Sequence, residues 1–201
     1  MQLNARPEGH SRPPVVLAID TSTHQASVAV CAGDEVLSTR TWLAGRQHTS
    51  TLLPAVRDVM AEASASPRDL SALAVALGPG SFNGLRTGLS TAKGLALVWQ
   101  LPLLGIPTLE LLAEEYHLPV ATMHAAPGRV YVWHRGSPAS AITIEDGSAP
   151  DRIRHAETLA RLAVERLSCS DPAAGQLLLE PLYVQPPNIH HNAPKAALAS
   201  S

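Results

Sequence analysis

The segment that decides the fold reads ALGPGSFNGLRTGLSTAKGLAL, at residues 76–97. An apolar run at residues 73–77 predicts a buried strand, and it leads into a glycine-rich turn at residues 78–84. The turn opens a helix predicted over residues 85–99. Backbone N–H groups at such a helix N-terminus attract anions, so the turn is a candidate phosphate loop. A tight turn that needs only the backbone freedom of glycine explains the same residues equally well.

The turn does not match the familiar phosphate loops or the nucleophile elbow. No pair of its glycines has the Walker A spacing followed by lysine, and the third glycine of the dinucleotide-binding pattern is replaced by Asn83. Ser81 has Pro79 and Asn83 where a nucleophile elbow needs glycines. A second polar turn, with short hydroxyl side chains that could cradle a phosphate or satisfy their own backbone, follows the first strand. Together the two turns give a candidate vestigial phosphate site at Asp20, Thr21, Ser22, Gly78, Gly80 and Ser81.

Upstream of this segment the pattern predicts an antiparallel meander followed by a helix. The first strand is the apolar run at residues 15–19, and the turn Gly33-Asp34 joins the next two strands. Apolar residues then recur at helical spacing until Ser66-Pro67 ends the helix. The predicted strands are 15–19, 26–31, 36–42, 73–77 and 103–106, and the predicted helices are 50–64 and 85–99, in the order βββαβαβ.

The second half repeats this order of elements. Residues 120–133 align with residues 17–30 as strand, loop and strand, and the turn at 136–138 leads to a third strand near residues 141–144. A helix is predicted over residues 156–167. We therefore expect an internal duplication with this division: a loose leader at 1–14, a first lobe at 15–106, a reduced second lobe at 107–187 and a tail at 188–201.

The predicted helix at 85–99 has more apolar surface than one sheet face needs. One apolar stripe comprises Leu85, Leu89, Ala92, Ala96 and Trp99, and a second contains two glycines four residues apart, which permit close approach of another helix. That helix is either the neighbouring one of this chain or one of a partner. The partner alternative predicts contacts at Leu52, Leu53, Val56, Met60, Gly84, Gly88, Thr91, Leu95 and Val98, with Arg86, Ser90 and Lys93 facing solvent.

The composition argues against two classes of protein. The 201 residues are 45% hydrophobic and 3% aromatic with a formal net charge of −2, which argues against disorder throughout the chain and against a dedicated nucleic-acid binder.

The cysteines and histidines indicate no disulfide or metal chemistry. Cys31 and Cys169 form no disulfide framework, and Cys31 falls in an apolar strand, so we expect a buried thiol. The nine histidines include no H-x-x-x-H pair, so no metal site is predicted, and no catalytic constellation is visible. The first 14 residues have no apolar core of a signal peptide, and we expect a cytoplasmic protein without a membrane span.

Three stretches resemble the TsaB (YeaZ) family. They are AIDTST at residues 18–23, the helix start HTS-x-LLP at residues 48–54 and, above all, the long and specific segment at residues 76–97. The resemblance covers residues 15–117 well, and beyond them it rests on strands near residues 129–131 and 182–184.

The resemblance implies an α/β architecture of the actin/Hsp70/sugar-kinase (ASKHA) type: duplicated βββαβα lobes, mixed sheets flanked by helices, and a shortened second lobe. It implies a non-catalytic accessory subunit of tRNA N6-threonylcarbamoyladenosine synthesis at position 37. The catalytic subunit of that family system, TsaD, would bind through helices of the first lobe, with TsaE joining the larger complex. Alone, the chain would form a homodimer, and tRNA would be bound only through the complex.

Two departures from the family pattern bear on cofactors. Asn83 stands where the family has threonine, and residues 124–128 read HAAPG where the family has Asp-Ala-Arg-x-Gly, which removes two charges. We therefore expect no cofactor, with weak binding of ATP or ADP as the alternative. The competing function is an ASKHA-type ATPase or small-molecule kinase, which would use the two polar turns on ATP.

Overall fold

A computed structural model describes residues 12–44, 48–150, 156–168 and 179–184. In these ranges the chain forms eight strands and four α-helices. The strands are β1 Val15–Asp20, β2 Gln25–Ala32, β3 Glu35–Leu43, β4 Ala72–Ala76, β5 Leu103–Ile106, β6 Val120–Ala126, β7 Arg129–His134 and β8 Thr143–Asp146. The helices are α1 His48–Glu62, α2 Phe82–Trp99, α3 Thr108–Glu115 and α4 Ala156–Ser168.

The first sheet has the strand order β3-β2-β1-β4-β5. β1 pairs antiparallel with β2, opposing Val16 to Cys31, and parallel with β4, opposing Val16 to Ala72. The predicted meander and the strands and helices of the first half are confirmed, with boundaries shifted by a few residues. The largest shift is at α2, which begins at Phe82, three residues before the predicted start, because the Ser81 hydroxyl accepts a hydrogen bond from the Gly84 N–H and caps the helix.

Both faces of the first sheet are buried under helices. Accordingly, β1 and β4 are apolar at successive positions and do not alternate between apolar and polar residues. Leu17 and Leu73 point to the face covered by α1 and α2. Val16 and Ala72 point to the opposite face, where α4 packs. That second face is rich in alanine on the sheet and on α4, so the helix lies close to the strands. Cys31 is fully buried there as a free thiol, as expected.

The second sheet has the order β6-β7-β8, and α3 packs against it. Leu109 and Leu112 of α3 form a small core with Met123 and Trp133. Helix α3, an eight-residue helix with Pro107 at its N-cap, was not predicted. The third strand, predicted near residues 141–144, begins two residues later because a short 3₁₀ turn at Ala139–Ala141 precedes it. Because β6, β7 and β8 pair antiparallel in chain order, the second half repeats the meander of the first.

Helix α4 follows the second sheet along the chain but packs mainly against β1 and β2 of the first sheet. The predicted division places α4 in the second lobe, residues 107–187, whereas the helix packs on the sheet of the first lobe. The strand predicted at residues 182–184 is wrong, because that segment is irregular and makes one backbone hydrogen bond to the sheet, from Leu182 N–H to Leu77 C=O (2.8 Å). The predicted leader and the tail at 188–201 lie almost wholly outside the described residues.

Candidate functional site

The turn after β1 and the glycine turn before α2 are joined directly to each other. The Ser81 N–H donates to the Ser22 carbonyl (2.6 Å), and the Thr21 hydroxyl donates to the Gly84 carbonyl (2.7 Å). The Asp20 carboxylate accepts the Ser22 N–H (2.8 Å) within its own turn. The structure thus brings together five of the six predicted phosphate contacts: Asp20, Thr21, Ser22, Gly80 and Ser81.

Glycines allow this close approach. A Cβ added at Gly80 would lie 2.1 Å from the Ser22 carbonyl oxygen, and one added at Gly84 would lie 2.0 Å from the Thr21 carbonyl oxygen. Gly78, the sixth predicted contact, instead has a φ of +100° and offers its carbonyl to the Thr108 N–H at the start of α3 (2.7 Å). The backbone N–H groups of Ser81, Gly84 and Leu85 already donate hydrogen bonds to oxygen atoms of Ser22 and Ser81. Packing between two turns therefore accounts for the glycines without a ligand.

A cleft of about 410 Å³ opens between the two sheets beside these turns. Its first wall includes Ser22 and His24, and its second wall includes Thr122 and His124, the residue where the family pattern has aspartate. The Ser22 hydroxyl is buried and has no hydrogen-bond partner in the described structure. Within the described ranges, no group of three His, Cys, Asp or Glu side chains could hold a metal ion.

Five of the nine predicted partner contacts are covered by the chain itself. Leu52, Val56 and Met60 are buried in the core between α1 and the sheet. Gly84 and Gly88 are buried against Thr21, whose hydroxyl oxygen would lie 2.1 Å from a Cβ at Gly88. The expectation that a partner's helix crosses at these glycines is corrected: the small residues let α2 approach the end of β1.

The outer side of α1 and α2 nevertheless exposes large apolar side chains. Leu53 is 52% exposed and Val98 is 75% exposed, while Thr91 and Leu95 are partly buried. Leu97, which is not among the predicted contacts, is 66% exposed. The signal for Leu97 was its position eleven residues after Arg86, which places an apolar side chain on the polar side of the helix. We call Leu53, Leu97 and Val98 the outer apolar residues.

Ion pairs fix the polar side of α1 to the neighbouring edge strand. The Arg40 guanidinium of β3 contacts Asp58 (2.5 Å) and Glu62 (2.7 Å) of α1. Hydrogen bonds from Arg57, and then from Arg40, hold the pKa of the Asp58 carboxyl below its ordinary value. These contacts orient α1, so that its outer face is held in place next to α2.

A ring contact marks the start of α2. The Phe82 ring lies 5.4 Å from the Tyr183 ring, centroid to centroid, and the Arg86 guanidinium carbon lies 4.9 Å from the Phe82 centroid. Both distances fall within the ranges of aromatic and cation–π contacts. We call these three side chains the Arg86 stack. In the described ranges no helix is long and apolar enough to cross a membrane.

This order of strands and helices defines an ASKHA-type α/β protein. Comparison with solved structures gives the same fold: YeaZ from Pseudomonas aeruginosa superposes with a TM-score of 0.69 at 24% identity, covering 85% of this chain and all of that one. A second structure, described as similar to peptidase YeaZ from P. aeruginosa, gives a TM-score of 0.73 at 22% identity, over 86% of this chain and all of that one.

The family described as TsaD: tRNA N6-adenosine threonylcarbamoyltransferase matches residues 42–160, more than half of the chain. The chain therefore belongs to this family, and it is similar to TsaB proteins. It is 42% identical over 99 residues to the tRNA threonylcarbamoyladenosine biosynthesis protein TsaB of Escherichia coli, covering 49% of this chain and 42% of that protein. The TsaB of Bacillus subtilis is 36% identical over 98 residues, covering 49% and 43%. The chain thus spans less than half the length of these curated relatives.

Proposed function

We propose that the chain is a non-catalytic accessory subunit in the synthesis of threonylcarbamoyladenosine on tRNA. The proposal takes its pathway from the TsaB relatives, whose names place them in that biosynthesis. Its partner would be the catalytic subunit TsaD, with TsaE in the larger complex, tRNA bound only through the complex, and the cytoplasm as the compartment. The chain alone would form a homodimer through the same surface.

The observation that carries the proposal is the exposure of the outer apolar residues. Leu97 and Val98 are each more than 60% exposed on a helix whose other side is already packed on the sheet. Burying an apolar side chain of this size stabilises a complex by roughly 1.5–3 kcal/mol. Burial of apolar surface is the dominant favourable term in most protein association. A partner helix laid along α1 and α2 would remove these side chains from water.

No cofactor is part of this proposal. The N–H groups of Ser81, Gly84 and Leu85 are bonded within the chain, which leaves these donors of the glycine turn unavailable to a phosphate unless the two turns separate. The cleft with its buried Ser22 hydroxyl is the observation that favours the competing ATPase or kinase function. Isothermal titration with ATP and ADP, followed by a phosphate-release assay, separates the two: the accessory role predicts no turnover, and steady hydrolysis would support the enzyme.

The test of the accessory role is the affinity of the purified chain for TsaD from the same organism. Leu97→Arg and Val98→Arg replace exposed side chains, so the free energy of unfolding should change by no more than about 0.5 kcal/mol. At the centre of an interface the same changes bury an unpaired charge, so binding should be lost. Val36→Arg is the matched control, because Val36 is an exposed apolar residue on β3, outside the two helices. Folded Leu97→Arg that still binds TsaD normally would contradict the proposed surface.

A further inference from the structure

The Arg86 stack joins two distant parts of the chain on the exposed surface. Phe82 and Arg86 belong to the first two turns of α2, whereas Tyr183 comes from the irregular segment at residues 179–184. Tyr183 is 43% exposed, and Arg86 is also exposed. Only 3% of the residues are aromatic, so two rings in contact on the surface are a notable use of a scarce residue type.

The segment that supplies Tyr183 is anchored rather than loosely laid on the surface. Leu182 donates its N–H to the Leu77 carbonyl at the end of β4 (2.8 Å). Leu179 and Leu182 pack against the core under α1 and α2. The Tyr183 ring is therefore held next to Phe82 by the backbone hydrogen bond of Leu182 and by the packing of Leu179 and Leu182.

Arg86 differs from the paired arginines of the structure. Arg40, Arg57, Arg135 and Arg166 each contact a carboxylate. Among the described residues no carboxylate pairs with Arg86, whose guanidinium rests on the Phe82 ring. The contact with the Phe82 ring restricts the motion of the guanidinium, whose N–H donors match a carboxylate in two parallel hydrogen bonds. A side chain that is already ordered loses less entropy when it binds.

We propose that Arg86, oriented by Phe82 and Tyr183, is the polar anchor of the partner surface and binds a carboxylate of the partner subunit. The inference rests on the proposed function, because it assigns chemistry to the partner that covers α2. At helical spacing Arg86, Lys93 and Leu97 lie along one side of α2. The partner's facing surface would then carry acidic groups opposite Arg86 and Lys93 and apolar groups opposite the end of α2.

A protein carboxylate fits this surface better than RNA. Arginine and aromatic residues are enriched at the energetic centre of protein interfaces, and both occur here side by side. RNA binding draws its affinity from many cations, whereas this side of α2 has only Arg86 and Lys93 and the chain has a net charge of −2.

The experiment measures the dissociation constant of the chain and TsaD at low and high salt. Arg86→Ala should weaken binding by about tenfold or more, and the difference should shrink in high salt because the contact is ionic. Arg86→Lys keeps the charge but loses the paired N–H donors of the guanidinium, so it should recover only part of the affinity. Arg161→Ala is the matched control: Arg161 is an exposed arginine on α4, at the opposite face of the first sheet, and its removal should change affinity by less than about twofold.

Two further measurements separate this inference from the proposed function. Tyr183→Ala should weaken binding less than Arg86→Ala while the circular dichroism spectrum stays unchanged, because it removes the ring contact that supports Phe82 and leaves the Arg86 charge in place. Arg86→Ala with wild-type affinity would overturn the inference; if Leu97→Arg abolishes binding in the same series, the proposed function still stands. Arg86→Ala that lowers tRNA binding by the complex without changing subunit affinity would also overturn it, in favour of an RNA contact.

Discussion

The two sheets of this chain resemble each other in strand order and differ in how they are buried. The first sheet has five strands with helices on both faces, while the second has three strands with α3 on one face and a small cluster of Val130, Val132 and Ala149 on the other. Even α4, which follows the second meander along the chain, adds its apolar side to the first sheet. Repetition of an order of elements therefore does not imply repetition of a core.

This difference assigns most of the stability to the first sheet, and the proposed partner surface lies on the helices that cover it. Its core is large enough to fold around, and one of its helix layers still has apolar side chains exposed. The second sheet depends on α3 and on polar contacts to that helix. The following substitutions test this assignment, beginning with the largest expected effect.

Gly84→Ala should destabilise the first lobe by at least about 3 kcal/mol, because the new methyl group would overlap the Thr21 carbonyl oxygen and both backbones are fixed. Gly88→Arg should unfold the chain for a similar reason at the Thr21 hydroxyl. Urea denaturation followed by circular dichroism gives the free energy of unfolding.

Gly94→Ala is the control on the same helix. Nothing lies within 4 Å of a Cβ at that position, so alanine should stabilise the helix by about 0.5–1 kcal/mol. Equal stability of Gly84→Ala and the wild type would mean that the two turns are not in contact.

Leu159→Ala tests whether α4 belongs to the first sheet. Leu159 is fully buried on the alanine-rich face, so its truncation should lower the free energy of unfolding by about 2–5 kcal/mol. Hydrogen exchange should accelerate in β1 and β2. Met123→Ala, in the core of the second sheet, should instead accelerate exchange in β6 and β7. Faster exchange confined to β6–β8 in Leu159→Ala would refute the assignment of α4.

Arg135→Ala tests the polar attachment of the second sheet. The Arg135 guanidinium donates to the Glu114 carboxylate (2.9 Å) and to the carbonyls of Ala113 and Leu118 at the end of α3. The side chain is 43% exposed, so the expected loss is about 1 kcal/mol. The thermal midpoint and exchange in β7 should both report it, while β1 stays protected. No change in either would show that the apolar contacts of α3 hold the sheet alone.

Much of this organisation was predictable because the first half obeys simple periodicity. Continuous apolar runs located β1 and β4, and the shift to helical spacing located α1 and α2. The site was harder. A helical wheel shows that α2 has two apolar sides. It does not show that Gly84 and Gly88 face Thr21, since Thr21 and Gly84 alone are already 63 positions apart. The direction of α4 and the contact of Tyr183 with Phe82 likewise depend on long-range packing.

The prediction with the smallest effect on stability at neutral pH concerns Cys31. Burial, followed by the nearby Glu157 charge, raises the pKa of the Cys31 thiol to about 11. Two pKa units reduce the thiolate fraction about 100-fold at pH 8, so Cys31 should react with a thiol reagent only after unfolding. Because the folded-state pKa is the higher one, this group's contribution to stability is present below pH 9 and is lost as the pH rises towards 11.

The measurement is made in a Cys169→Ser variant, so that only the Cys31 thiol can be labelled. The labelling rate of the protein unfolded in guanidinium chloride serves as the reference. Rapid labelling of the native protein at pH 8 would show that α4 does not cover β2.

The most direct test of the accessory role is reconstituted synthesis of threonylcarbamoyladenosine with purified TsaD, the remaining components of the pathway and tRNA. The accessory role predicts no product from this chain without TsaD, product when both are present, and loss of that product with Leu97→Arg while the variant stays folded. Product formed by this chain without TsaD, or an unchanged yield when the chain is omitted, would contradict it.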